Sequence, residues 1–271
     1  MAMKIWHQSF TTLARVPEYD AALRKHVKAV VRPDTEVAVH GTHPGTHGHK
    51  KTDGPSTDVG FAYFQSLHMH QFAYAAIMAE EQGFDAFALC TLPEPGLQEI
   101  KSLVNIPVVG YGESAMYTAC QLGRKFGVLL FIKEMIPQIE NNVRLLGLEK
   151  RCAAIRYVGF PSGEVIPAAG VPEHVIDIFM DNARQLIADG ADVIIAGEVP
   201  LSLLLQRAGI NRVEGVPVID AVACTLKSAE VLVDLKRQLG ISRSTQGYYQ
   251  ALPPRDRVKE LTELYGISKL F

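Results

Sequence analysis

Short apolar or β-branched runs alternate with longer amphipathic stretches along the whole chain, the pattern of repeated βαβ units wound around a largely parallel sheet. The runs at 4–7, 36–40, 86–90, 108–109, 126–131, 153–158, 193–196 and 218–219 predict strands, and the stretches at 20–31, 64–82, 114–122, 134–146, 172–188, 201–207 and 224–238 predict helices.

Two segments repeat one local plan. In the first, a helix ends at Glu80-Glu81-Gln82-Gly83-Phe84-Asp85 and an apolar strand runs to Leu89-Cys90-Thr91. Asn105-Ile106-Pro107-Val108-Val109-Gly110 then leads to Glu113-Ser114 at the opening of a helix. In the second, Ile187-Ala188-Asp189-Gly190-Ala191-Asp192 precedes a strand ending Ile195-Ala196-Gly197-Glu198, and Glu214-Gly215-Val216-Pro217-Val218-Ile219-Asp220 precedes another helix. The duplication predicts two similar α/β halves facing each other across a cleft. Ligands of open α/β sheets sit at the carboxyl ends of the strands, which makes Thr91, Glu198 and the turn at 110–114 candidate walls of a site.

Composition narrows the class of ligand. With 271 residues, 48% hydrophobic and 21% charged, and a formal net charge of -2, the chain has the makeup of a globular protein and offers no electrostatic reason to expect nucleic acid or a membrane surface. A small neutral or weakly anionic molecule is the expected partner. The first residues carry no apolar signal core and no apolar run nears the ~20 residues of a spanning helix, so the expected location is the cytoplasm. Cys90, Cys120, Cys152 and Cys224 are widely spaced without a CxxC pair, which argues for reduced thiols and against a cysteine zinc site.

The two frames, GFDAF…PGL…IPVVGYGESA…LGRKFGVL and GADVII…GVPVIDAVA…KSAE, resemble the aspartate/glutamate racemase superfamily and, within it, the hydantoin racemases. The similarity runs from Ile5 to about Leu232. It implies two pseudo-symmetric three-layer α/β domains with mainly parallel sheets and an active-site cleft between them. The expected division is 1–110 with 224–271 as one discontinuous domain and 111–223 as the other. It also implies a homo-oligomer, no cofactor, and a cysteine from each half placed on opposite faces of a substrate α-carbon.

This chain departs from that pattern at both cysteines. Counted from Asp85 or back from Pro95-Gly96-Leu97, the first falls on Thr91, with Cys90 one residue before it; counted from Gly190-Ala191-Asp192, the second falls on Glu198. A one-residue slip in the loop 92–95 would bring Cys90 into the site instead. A threonine hydroxyl is a poor base, whereas a buried glutamate whose pKa is raised toward neutrality is a competent one. Glu198 could deprotonate a carbon acid, giving a racemase or isomerase of a cyclic amide, hydantoin-like or amino-acid-like substrate. It could instead activate water or Thr91 in a hydrolase or lyase. In a third reading the fold binds a small molecule without turnover, and in the plainest one Glu198 caps the helix that follows it.

Ligand anchoring is assigned to Ser9, Thr11 and Thr12 after the first strand and to Gly112, Glu113 and Ser114 at a helix start, where hydroxyls and free backbone N–H groups suit a carboxylate or polarised carbonyl. His7 ends the first strand and is a further candidate. His40 opens the histidine-rich run His40-Gly41-Thr42-His43-Pro44-Gly45-Thr46-His47-Gly48-His49, with His68 and His70 further on. The spacing fits no tight metal motif, so the run is read as a catalytic or substrate-covering loop and no metal is assigned. Asp220 is expected to hold the helix after it. Cys120 and Cys224 fall in helices, as small buried hydrophobes.

Overall fold

The computed structural model describes residues 2–44, 56–161, 164–165 and 172–267. His47 and His49 lie outside them. The elements in order are β1 (Met3–Ser9), α1 (Pro17–Val30), β2 (Thr35–His40), a short α2 (Ser56–Val59), α3 (Ala62–Glu81), β3 (Ala86–Cys90), a short α4 (Leu97–Lys101), β4 (Val108–Gly110) and α5 (Tyr111–Leu122). The second half continues with β5 (Phe126–Leu130), α6 (Ile136–Leu145), β6 (Cys152–Tyr157), α7 (Glu173–Ala188), β7 (Val193–Ala196), α8 (Val199–Arg207), β8 (Arg212–Val213), β9 (Val216–Ile219), α9 (Ala221–Leu239) and α10 (Arg255–Leu264).

The strands form two sheets, ordered β2-β1-β3-β4 and β6-β5-β7-β9-β8. All pairings are parallel except β8 with β9. With β8 set aside, the two orders are the same when β1, β2, β3 and β4 are matched to β5, β6, β7 and β9. The repeat seen in the sequence is therefore a repeat in space. The chain reverses its direction of winding between β1 and β3 in one sheet and between β5 and β7 in the other, and such a switch point opens a crevice at the strand ends.

The repeated glycine and aspartate have the same task in each half. Gly83 and Gly190, at φ 76° and 96°, stop α3 and α7 in the left-handed conformation that a side chain resists. Asp85 then accepts the N–H of Lys4 at 2.8 Å, and Asp192 accepts those of Arg124 and Lys125 at 2.8 and 2.7 Å. Each carboxylate thus ties the entering end of one strand to its central neighbour.

Strands β3, β4, β5 and β7 are buried on both faces, as parallel strands under helices must be. Phe87, Leu89, Val128, Leu130 and Ile195 join Leu226 of α9 and Ala115 of α5 in one core, while Phe179, Leu186 and Leu204 centre a second core on the far side of the second sheet. Helix α9 packs against β1, β3 and β4 and against α5, and α5 reaches β7. Asp220 caps α9 by accepting the Ala223 N–H at 3.1 Å, as expected, and its other oxygen meets His26 Nε2 of α1 at 2.6 Å.

Four short elements escape the sequence pattern: α2, α4, β8 and α10. The first three have five residues or fewer, too little chain for a period to show. Helix α10 carries Val258, Leu261 and Leu264 at helical spacing, yet none of its residues is buried. Among the described residues no helix is long and apolar enough to cross a membrane.

Candidate active site

The carboxyl ends of the central strands meet at one small cleft. Ser9, Phe10 and Thr11 follow β1, Cys90, Thr91, Leu92 and Pro93 follow β3, Phe131, Ile132 and Met135 follow β5, and Glu198, Val199 and Pro200 follow β7; Tyr19 and Val59 complete the wall. The halves touch closely here. A Cβ on Gly197 would stand 2.7 Å from the Leu129 carbonyl oxygen and 3.0 Å from Leu92 of the opposite half, so only glycine fits before Glu198. The cleft is narrow, with a volume of about 60 Å³.

Glu198 occupies the N-cap position of α8 but makes no side-chain bond to that helix. Its carboxylate crosses to the end of β5, where it accepts the Phe131 N–H at 3.0 and 3.2 Å and the Ile132 N–H at 3.3 Å. The capping reading is therefore set aside. Burial raises the pKa of this group to about 8, with the donated N–H groups pulling the other way and losing.

Cys90 and Thr91 both line the cleft, because β3 ends at Cys90 and the alternation of a strand no longer separates them. The thiol is 1% exposed, and burial together with nearby Glu94 pushes its pKa up, so it stays protonated at neutral pH. In the same cleft the Tyr19 phenol lies against the Thr11 and Ser9 hydroxyls, and burial raises its pKa as well. The Ser9 hydroxyl also accepts the Thr11 N–H at 3.1 Å.

Other candidates lie elsewhere. Thr12 hydrogen-bonds Thr42 at 2.9 Å behind the cleft. His7 is fully buried within β1, with neither ring nitrogen bonded among the described residues, and burial lowers its pKa to about 4, leaving it neutral. His40 stacks on Trp6 with ring centroids 3.5 Å apart, and burial lowers its pKa too. His68 pairs with Asp58 at 3.1 Å. Among the described residues no group of His, Cys, Asp and Glu is disposed to hold a metal.

The helix start at Gly112, Glu113 and Ser114 is a carboxylate cradle, and the chain fills it with its own carboxylate. Glu94 Oε1 accepts the Glu113 N–H at 2.9 Å, while Lys101 Nζ holds the Glu113 carboxylate at 2.5 and 2.7 Å. Glu94 sits at φ 50°, a strained conformation for a non-glycine residue, on the loop that carries Thr91. Its anchored side chain holds that loop in shape. A Cβ on Gly110 would overlap Glu94 Oε1 and crowd Leu97. Gly110→Ala is expected to lower stability by about 1–3 kcal/mol, read from urea unfolding, through this overpacking.

Glu94, like Glu198, has its pKa raised to about 8, chiefly by burial. The folded protein then keeps protons that the unfolded chain releases near pH 4.5. Stability is expected to be greatest below that pH as far as these groups go, to fall as pH rises toward about 8, and to level off above it. Each group contributes a slope of at most about 1.4 kcal/mol per pH unit. Urea midpoints measured from pH 5 to 9 test this, and Glu94→Gln should remove its share of the slope.

Sequence reasoning missed Tyr19, Glu94, Phe131 and Ile132. The last two were recoverable from the repeat, since they follow β5 as Phe10 and Thr11 follow β1. Tyr19 lies inside an amphipathic helix and carries no such signal.

Known proteins share this fold. A family described as Asp/Glu/Hydantoin racemase matches residues 17–229. A hydantoin racemase of Rhizobium meliloti is 27% identical over 201 residues, which cover 74% of this chain and 81% of that protein. An allantoin racemase from Klebsiella pneumoniae superposes with a TM-score of 0.74 at 24% identity over 94% of this chain and 95% of that one. The allantoin racemase of Pseudomonas fluorescens does so at 0.70 and 28% identity over 93% and 98%. In sequence and in fold, this chain belongs to the Asp/Glu/hydantoin racemase family of isomerases.

Proposed function

We propose that the protein racemises a five-membered cyclic amide of the hydantoin or allantoin kind, using Glu198 and Cys90 as an unlike pair of acid and base. The observation that carries this reading is the Glu198 carboxylate, buried at the end of β7 and facing a cleft whose other wall presents a protonated thiol. The relatives named for hydantoin and allantoin racemisation supply the substrate class.

In one direction the ionised Glu198 takes the proton from the ring α-carbon, and the C–H electron pair passes into the adjacent carbonyl as an enolate. The Thr91, Ser9 and Thr11 hydroxyls and the Tyr19 phenol are the donors at hand for that oxygen. The Cys90 thiol returns a proton to the opposite face and becomes a thiolate. The reverse direction uses the same groups in exchanged roles, starting from the thiolate and the protonated glutamate. A pKa near the working pH suits Glu198 to both.

The test is to incubate the protein in deuterated buffer with each enantiomer of a 5-substituted hydantoin and of allantoin, following α-proton exchange by NMR and inversion by polarimetry. Exchange with inversion and an intact ring is the expected result. Ring opening without exchange would sink the proposal in favour of a hydrolase.

A further inference from the structure

Away from the cleft, the chain after α9 folds back beside β4 and borders a second, open-mouthed pocket of about 400 Å³. Its floor is apolar, made by Ile106, Pro107 and Val108 with Leu232 and Leu235 of α9, and Ile241 lies on its rim. The polar side of the wall is Lys101, Ser242, Arg243, Ser244 and Gln250. The lining holds two cations and no carboxylate.

Arg243 is the unusual member. Its Nη2 donates to the Gln250 carbonyl, which bends the tail into place, but Nε and Nη1 are buried with no hydrogen-bond partner among the described residues. A buried N–H left unpaired is costly, more so when the group is charged, and a guanidinium does not escape by losing its proton. Arg32 also has a buried Nε without a hydrogen bond, but carboxylates surround its guanidinium, with Nη1 on Asp234 at 2.6 Å and Nε 3.5 Å from Glu230, whereas Arg243 faces none. Burial of Arg243 disfavours its charge, with nothing to offset it.

We propose that this cavity binds a small organic carboxylate with an apolar body, Arg243 taking the carboxylate and the Leu232, Leu235 and Ile106 floor taking the body. Cavity size and lining are those of a small-molecule site, mostly apolar with a few placed polar groups. An oxyanion satisfies the orphaned donors of Arg243 and restores a charge pair. The pocket is separate from the catalytic cleft, yet Lys101 joins it to the Glu113–Glu94 contact behind Thr91, so an occupant that draws on Lys101 also bears on the loop of the active site.

The test is calorimetric titration of the full chain with benzoate, acetate, inorganic phosphate and uncharged benzamide, repeated on Arg243→Gln and on Leu232→Trp, which fills the apolar half and leaves the guanidinium. Saturable benzoate binding at least tenfold tighter than acetate or benzamide, weakened at least tenfold in both variants while hydantoin turnover without benzoate is unchanged, is the expected result. Phosphate binding in place of benzoate would overturn the assignment to an organic carboxylate. Benzoate binding that survives Arg243→Gln and competes with hydantoin would place benzoate in the cleft and overturn the proposal, as would no binding by any of the four.

Discussion

Glu198→Gln is expected to abolish both α-proton exchange and inversion, lowering kcat by about 10²–10⁴-fold, the range removed with a general base. The fold should survive, because the amide oxygen can still accept the Phe131 N–H that now lies 3.0 Å from the carboxylate, and substrate affinity should change little. Circular dichroism and calorimetric binding of a non-reacting hydantoin separate lost chemistry from lost structure. The pH profile gives a second reading of the same group. Only the ionised carboxylate accepts a proton, and burial sets its pKa at about 8, so kcat/KM in the direction that begins on Glu198 should climb with pH through about 8, where an exposed glutamate would have finished by about 5. A variant that keeps wild-type turnover, or an acid limb near pH 4–5, would show that Glu198 is not the base.

Cys90→Ala should divide the two half-reactions. With the thiol gone, Glu198 still removes and returns a proton on its own face, so one enantiomer should exchange its α-proton with retention while inversion falls by about 10²–10⁴-fold. The other enantiomer should do neither. The asymmetry arises because the remaining base reaches only one face of the α-carbon. Thr91→Val provides the control for the competing register. It should weaken turnover modestly through loss of one hydrogen-bond donor, and if it stops inversion while Cys90→Ala does not, Thr91 rather than Cys90 stands opposite Glu198. Racemisation at the wild-type rate in Cys90→Ala would mean that Glu198 serves both faces.

Much of this molecule was legible before any coordinates. The alternation of apolar runs and amphipathic stretches gave the parallel strands, because a strand covered by helices on both faces must be apolar throughout and a helix with one buried face must show a period. The repeat of glycine, aspartate, strand and Pro-Val turn gave the two halves, since each half solves the same local problem: stop a helix, pin the start of a strand, open a site at its end. Counting along those frames also brought Thr91 and Glu198 to the cleft, and a count survives divergence where side chains do not.

What the sequence could not fix depended on contacts between residues far apart in the chain. The start of α5 looked like a cradle for a substrate carboxylate, and only the folded loop revealed that Glu94, on the other side of β4, fills it. Glu198 looked like a helix cap, and only the pairing of β5 with β7 brought the Phe131 N–H within its reach. Cys90 and Thr91 looked like alternatives because adjacent strand residues face opposite ways, yet the strand ends between them and both line the cleft. Arg243 carries no signal in the sequence, and only the tail that folds back beside α9 buries its Nε and Nη1. Periodicity and spacing record which face of an element is buried; which polar atom meets which is decided by the tertiary structure, because the low dielectric of the interior makes each unpaired group costly and each partner specific.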